Sequence, residues 1–232
     1  ATEYAILFRR VLPWLASHRL PIPLGGTSNH FRRSVLTELG GWDSHNVAED
    51  ADLGLRLARH GYEVGVIAAP TSESATTCWR DWRNQRTRWI KGWLQTWLVH
   101  TRRPLRTLSD LGLARFAVVQ ILFAGMIGAS VMHLFFAVYA LDAAIQLLRG
   151  ETLTLAPKVL LALDLFNIAS AWTVHALLAG AVLTPEEKGL MRRLPTLWFY
   201  WLAASLAGMR ALKQLIVEPH RWEKTPHHET GT

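Results

Sequence analysis

The stretch Val47-Ala48-Glu49-Asp50-Ala51-Asp52-Leu53-Gly54-Leu55-Arg56-Leu57 decides how the first half of the chain is read. Leu53, Leu55 and Leu57 supply an apolar stripe. Glu49, Asp50 and Asp52 fall in the first turn of a helix, and Arg56, Arg59 and His60 in its last. Acids at the start and bases at the end complement the helix dipole. A helix is therefore predicted over residues 49–59, stopped by Gly61.

The flanking segments are read outward from that helix. Residues 4–17 carry Ile6, Leu7, Val11 and Leu15 at helical spacing, with Pro13 interrupting the pattern. Pro21-Ile22-Pro23-Leu24 is extended, because residues before proline avoid the helical region. Gly25-Gly26 makes a turn, Thr27, Ser28 or Asn29 caps a short helix over 31–39, and Gly40-Gly41 ends it. Tyr62-Glu63-Val64-Gly65-Val66-Ile67 alternates like a strand. Residues 78–98 form a helix with Trp79, Trp82, Trp89, Trp93 and Trp97 on one face and Arg86 in the same row. Gln85, Arg88 and Gly92 make the adjacent row. Helix, strand and glycine turns in alternation predict a small α/β unit. That unit is too short to build a covered nucleotide-binding sheet alone, so the chain is expected to be part of a longer protein.

Composition separates the two halves. The net charge is +7, and residues 82–109 hold seven basic groups and no acid. Such a block suits a phosphate-bearing ligand or an anionic membrane face. The apolar runs beside it favour the membrane over nucleic acid. Cys78 is the single cysteine, which excludes an internal disulfide framework and a cysteine metal site. Three apolar stretches, 116–148, 159–183 and 197–217, are each long enough to cross a bilayer of about 30 Å. Basic residues over 102–115 place the start of the first in the cytosol, whereas Arg221 and Lys224 would then lie outside, against the positive-inside rule. Gln120, His133, Asp164, Asn167 and His175 are polar within these stretches. Hydrogen bonding to neighbouring helices is the plainer reading, and a polar path through a bundle the sharper one.

Two clusters carry candidate chemistry. Acids in a first turn ordinarily only stabilise the helix, by about 0.3–1 kcal/mol each. A carboxylate at a helix entrance is also placed to act as a general base on an acceptor hydroxyl. Asp50-Ala51-Asp52 has the D-x-D form of a metal chelate, a weak signal on its own. In Gln85-Arg86-Thr87-Arg88-Trp89, an interfacial helix is the plain alternative. The chemical reading gives Gln85 and Arg88 the diphosphate of a leaving group and Trp89 the face of a sugar ring. His30, His45 and His60 lack metal-ligand spacing, and the pair His227-His228 belongs to a polar tail.

Gly25-Gly26-Thr27-Ser28-Asn29-His30-Phe31-Arg32, Gly40-Gly41-Trp42-Asp43, Glu49-Asp50-Ala51-Asp52-Leu53-Gly54 and Gln85-Arg86-Thr87-Arg88-Trp89, in that order, resemble the membrane-bound family 2 glycosyltransferases, which include cellulose, chitin and hyaluronan synthases. The resemblance covers residues 20–98 well and the apolar stretches in outline. It implies Asp50 as catalytic base, and substrate contacts from Glu49, Gln85, Arg88 and Trp89 and from Gly26, Thr27 and Ser28. It also implies a GT-A fold, inversion at the anomeric carbon, a nucleotide-sugar donor, a glycan or lipid acceptor, and Mg or Mn. The donor-binding half and its metal ligands would precede Ala1, so no metal ligand is assigned in this chain. Ala48 stands where many relatives have threonine, and Gly-Gly-Thr-Ser replaces the Cys-Gly-Ser of cellulose synthases, so sugar and polymer stay open.

The expected organisation is the acceptor-side half of a GT-A-like domain over 1–104, a transmembrane or interfacial helical region over 105–218, and a polar tail over 219–232. The expected function is hexosyl transfer in polysaccharide biosynthesis, by a multi-pass protein of the inner or plasma membrane with its catalytic part cytosolic. A non-catalytic membrane protein that binds or conducts a glycan or lipid is the alternative. On the first reading, the 232-residue chain alone shows no transferase activity. Robust sugar transfer by the purified chain would overturn that expectation.

Overall fold

The computed structural model describes residues 1–69, 71, 75–219, 221 and 223. Lys224, His227-His228 and most of the predicted tail lie outside the described residues. The elements are α1 (Thr2–Ile6), a π-helical turn (Leu7–Val11), α2 (Leu12–Ser17), α3 (Arg33–Glu38), α4 (Glu49–Arg59), α5 (Trp79–Thr101), α6 (Pro104–Val119), a second π turn (Gln120–Gly125), α7 (Met126–Leu148), α8 (Leu155–Val182), a 3-10 stretch (Pro185–Thr196) and α9 (Leu197–Val217). The chain condenses into two units. One comprises Ala1–Leu12 with Ala129–Leu206, the other Pro13–Gly128 with Ala207–Thr232.

The predicted α/β class is wrong. Among the described residues there is no strand or sheet, so this is not an α/β, GT-A-like half-domain. Residues 62–67 were the predicted strand. Their alternation survives only as half-burial of Tyr62 and Val64, while Val66 and Ile67 are 41% and 73% exposed. A strand exists by virtue of the ladder it shares with a neighbour. Among the described residues no second extended segment pairs with this one, so the pattern has nothing to register against.

The second unit is built on α4 and α5. Leu53 and Leu55 are fully buried, as the stripe requires. Ala48, Ala51, Leu55 and Ala58 pack with Leu111, Val119 and Phe123, and Trp93 and Trp97 close over them. Each buried leucine contributes about 1.5–3 kcal/mol. Two glycines set how close the helices come. A Cβ on Gly92 of α5 would lie 2.3 Å from the Ala48 Cβ, and one on Gly54 of α4 2.3 Å from the Ile22 carbonyl oxygen. Side chains at either place would drive the amino end of α4 off α5, or the 21–24 segment off α4. Asn46 adds a polar tie, its amide donating to Thr96 Oγ1 at 2.8 Å.

Further along α5, Lys91 is fully buried. Its Nζ donates to the carbonyls of Arg221 at 2.6 Å and Glu218 at 3.3 Å, and Gln95 donates to that of Pro219. Burial lowers the Lys91 pKa, against the raising effect of Glu223 and Glu218. Ile90 packs on Ala207 and Ala211 of α9. Pro104 opens α6 at a position where its missing N–H is not needed. Trp97 Nε1 donates to Gln120 Oε1 at 2.9 Å.

In the other unit, Ala5 and Ile6 of α1 pack with Ala179 of α8, with Leu183 just past its end, and with Leu194 and Leu197. Arg9 Nη2 donates to Glu187 Oε1 at 2.8 Å, and His175 Nε2 lies 3.0 Å from Thr2 Oγ1. Asn167 is exposed. Gln120 and His175 have hydrogen-bond partners on neighbouring elements, whereas His133 bonds the Ala129 carbonyl of its own helix and Asp164 is buried.

Among the described residues, two helices are long and apolar enough to cross a membrane, Pro104–Leu148 and Leu155–Val182, with mean hydropathy 2.1 and 1.5. Three such stretches were expected. The third forms a helix, α9, but carries Arg210 and Lys213 and buries Ala207, Ala211 and Gln214 in the protein.

The close approach at Gly92 generates a test. Gly92→Ala removes a helix-weakening residue yet places a methyl inside the Ala48 contact, and overpacking of this kind costs about 1–3 kcal/mol. A lower thermal midpoint is expected. An unchanged or raised midpoint would show that the helices meet elsewhere.

Candidate active site at the amino end of helix α4

Asp50 occupies the first turn of α4 and is half-buried, beside an exposed Glu49. Its Oδ1 accepts from the Ala51 amide at 2.8 Å. A Cβ built on Gly26 would stand 3.3 Å from Asp50 Oδ2, so the Gly25-Gly26 turn lies against the carboxylate. The positive charge of Arg88, on α5, also acts on Asp50. The fold therefore gathers Asp50, Gly26 and Arg88 from three separate predicted motifs. Gly92, one turn after Arg88, is the reason the two helices allow it.

Burial pushes the Asp50 carboxyl above the ordinary range. The Glu49 charge adds to this, while the Ala51 amide and Arg88 oppose it. The outcome is a carboxylate made more basic and only partly satisfied, the state a general base requires.

The remaining predicted residues fall around this centre with differing roles. Gln85, Arg88 and Trp89 are half-buried on α5. Arg86 lies over the Trp89 ring at 5.0 Å and the Trp82 ring at 5.8 Å, a cation–π stack that occupies one face of each. Trp79 and Trp82 stack at 5.2 Å, whereas Trp93 packs on Phe123 and belongs to the core. Thr27 and Ser28 are exposed, and Ser28, at φ 58°, shares a hydrogen bond with Thr71 Oγ1 at 2.9 Å. Thr87 Oγ1, Arg83 Nε and Arg88 Nε are buried and have no hydrogen-bond partner among the described residues.

Asp52 turns out to be a different kind of acid. It is 3% exposed, its Oδ2 accepting from Arg56 Nε at 2.7 Å and its Oδ1 bonded to His100 Nε2 at 2.8 Å. Arg59 Nη1 lies 3.0 Å from His100 Nδ1. A guanidinium has no acceptor, so Nδ1 accepts and the ring proton sits on Nε2, donated to Asp52. Arg56 donates onward to the Leu39 and Gly41 carbonyls, and Arg59 to Asp110. Both oxygens of Asp52 are thus engaged, and Asp50-Ala51-Asp52 does not fit a divalent cation. No three metal-ligating side chains come together among the described residues.

Sequence reasoning missed His100, Arg59 and Lys91. The Asp52–Arg56 pair was visible as an i, i+4 spacing. His100 lies 48 residues from Asp52, with no local signal to join them.

Comparison with known proteins adds a family. Residues 2–209 match glycosyl transferase family group 2. The chain is 43% identical over 68 residues to "Probable glycosyltransferase YdaM" of Bacillus subtilis (strain 168), covering 29% of the chain and 16% of that protein. It is 32% identical over 105 residues to "Beta-monoglucosyldiacylglycerol synthase" of Synechocystis sp. (strain ATCC 27184 / PCC 6803 / Kazusa), covering 43% of the chain and 22% of that protein. It is 39% identical over 70 residues to "Probable glucomannan 4-beta-mannosyltransferase 6" of Oryza sativa subsp. japonica, covering 29% and 12%. The matched stretches thus span less than a quarter of each relative's length. No solved structure matches the chain.

The Asp52 network predicts acid sensitivity. Burial disfavours the Asp52 charge, but the bonds from His100 and Arg56 outweigh it and hold the pKa below the ordinary value of 3.8. The network's contribution is therefore complete above the unfolded-state value and lost as pH falls through the folded one. The unfolding midpoint is expected to drop as pH is lowered below 3.8, and Asp52→Asn to flatten that limb. At neutral pH, Asp52→Ala leaves Arg56 without its partner and costs about 3–5 kcal/mol. A neutral-pH midpoint equal to that of the wild type would refute the network.

Proposed function

The chain belongs to glycosyl transferase family group 2, and we propose that it carries the acceptor-side chemistry of a transferase that moves a sugar from a nucleotide-sugar donor to a glycan or lipid acceptor at a membrane. The observation that carries this reading is the placement of Asp50. A carboxyl made more basic by burial lies against the Gly26 turn and within the field of Arg88.

In the proposed reaction, Asp50 takes the proton of an acceptor hydroxyl while that oxygen attacks the anomeric carbon. The bond from that carbon to the donor diphosphate breaks, and its electron pair leaves with the nucleoside diphosphate. Attack opposite to the leaving group inverts the anomeric centre. Arg88 and Gln85 face the charge that develops on the leaving oxygens. Trp89 offers apolar surface to a sugar ring. Glu49 raises the basicity of Asp50 through its charge. Gly26, Thr27 and Ser28 border the acceptor side. Mg or Mn enters this reading only from the family resemblance, held by groups other than Asp50 and Asp52.

Membrane association is proposed on three supports. They are the two apolar helices, their outward faces (Leu148 is 87% exposed and Phe166 72%), and the resemblance to a glycolipid synthase. A lipid acceptor of the diacylglycerol class fits the last of these.

The test separates a catalytic Asp50 from a structural one. Because folding raises the Asp50 pKa, its ionisation works against the folded state as pH rises. Asp50→Asn in the full-length protein is expected to lower turnover by about 10²–10⁴-fold while leaving the thermal midpoint at pH 7 equal or higher. In the wild type, turnover rises with pH on a limb above the usual carboxylate range, and the variant lacks that limb. Near-normal turnover in the variant would rule the assignment out.

A further inference from the structure

At the opposite end of α4 from Asp50, a cleft of about 400 Å³ is lined by Arg56, Arg59, His60, His100, Arg106 and Asp110. Asp50 and Arg59 are nine positions apart, roughly 14 Å along the helix axis, so this cleft is distinct from the Asp50 centre, although Arg56, Arg59, His100 and Asp110 belong to the network around Asp52. The chemistry of its wall is unusually one-sided. Three guanidinium groups face one carboxylate, with two imidazoles beside them.

The arginines are not all consumed by one another's partners. Arg59 is held by Asp110 through Nε and Nη2 and by His100 through Nη1. Arg56 is held by Asp52 and two backbone carbonyls. A guanidinium has five N–H groups; each of these two has committed three and keeps two. Arg106 is exposed and makes no hydrogen bond or ion pair among the described residues, and the same is true of His60. The result is two fixed forks and one movable one around a single concavity. Fixed forks lose little freedom on capturing a tetrahedral oxyanion, and guanidinium groups match its oxygens in pairs.

We propose that this cleft is a second ligand site that binds a phosphate ester. The volume exceeds that of a bare phosphate, so it accommodates part of what the phosphate is attached to. Phosphate is the shared chemistry of two sources, a phospholipid headgroup and a soluble phosphate compound.

The experiment uses the full-length protein in neutral detergent, with Arg106→Glu as the test variant and Arg103→Glu as a control outside the cleft. Arg106 has no structural partner to lose, so the fold is expected to survive, and a thermal melt checks that it does. Glycerol 3-phosphate is titrated, followed by ³¹P line broadening. Saturable binding is expected, weakened about ten-fold or more by Arg106→Glu, about 1.4 kcal/mol, and little changed by Arg103→Glu. Reconstitution into nanodiscs of phosphatidylcholine, with and without phosphatidylglycerol, then identifies the source. At a headgroup site the anionic lipid competes with glycerol 3-phosphate and weakens its apparent binding, and Arg106→Glu removes that competition. At a soluble-ligand site glycerol 3-phosphate binds equally in both kinds of nanodisc. Absence of saturable binding in both arms, or equal loss in the two variants, would overturn the proposal. Because Asp50 is untouched, this failure would leave the transferase reading standing.

Discussion

The site depends on one close contact. Gly92 lets α5 ride directly on Ala48, with no side chain between the helix and the backbone that opens α4. Everything at the amino end of α4 is positioned by that approach. Asn46 reaches Thr96, the Val47 amide turns toward Gln95, and Asp50 comes under the influence of Arg88 one turn away. Gly54 performs the same service on the other side of α4, where the proline-stiffened segment 21–24 presses on the helix and carries Gly25-Gly26 toward the carboxylate. The two glycines are thus geometric spacers for chemistry supplied by their neighbours.

The helical repeat explains how two acids so near in sequence do opposite work. Residues two apart on an α-helix point about 200° away from each other. Asp50 faces the glycine turn and Arg88, whereas Asp52 faces inward to Arg56 and His100. Environment then pulls their acidities in opposite directions: burial prevails at Asp50, and donated hydrogen bonds prevail at Asp52. A pair that looks like a chelate in one dimension is a base and a structural anchor in three.

Legibility in the sequence followed the range of the interaction. The helices over 49–59 and 79–101 were readable because their stripes and dipole-matching charges are local, and Gly40-Gly41 ended α3 as glycines do. The strand over 62–67 was misread because alternation reports only one side of a partnership, and pairing is non-local. The tryptophan row was half right. Periodicity placed its members on one face, but tertiary packing divided them between an arginine stack and the core. At the site, composition and order pointed to Asp50, Gly26 and Arg88. The tautomer of His100 and the environment that raises Asp50 are properties of assembled neighbours, which no single segment displays.

Lys91 gives Glu218, Pro219 and Arg221 a meaning that their distance from it in sequence would not suggest. An ammonium enclosed in protein must find oxygen, and Lys91 finds it in the main chain of Glu218 and Arg221, with Gln95 holding Pro219 between them. Main-chain carbonyls carry no sequence identity. The tether is therefore indifferent to which side chains evolve there but intolerant of the segment's absence. A form shortened ahead of residue 218 would leave a desolvated cation in the middle of the helix that bears Arg88, so the integrity of the site is linked to chain that lies more than a hundred residues downstream.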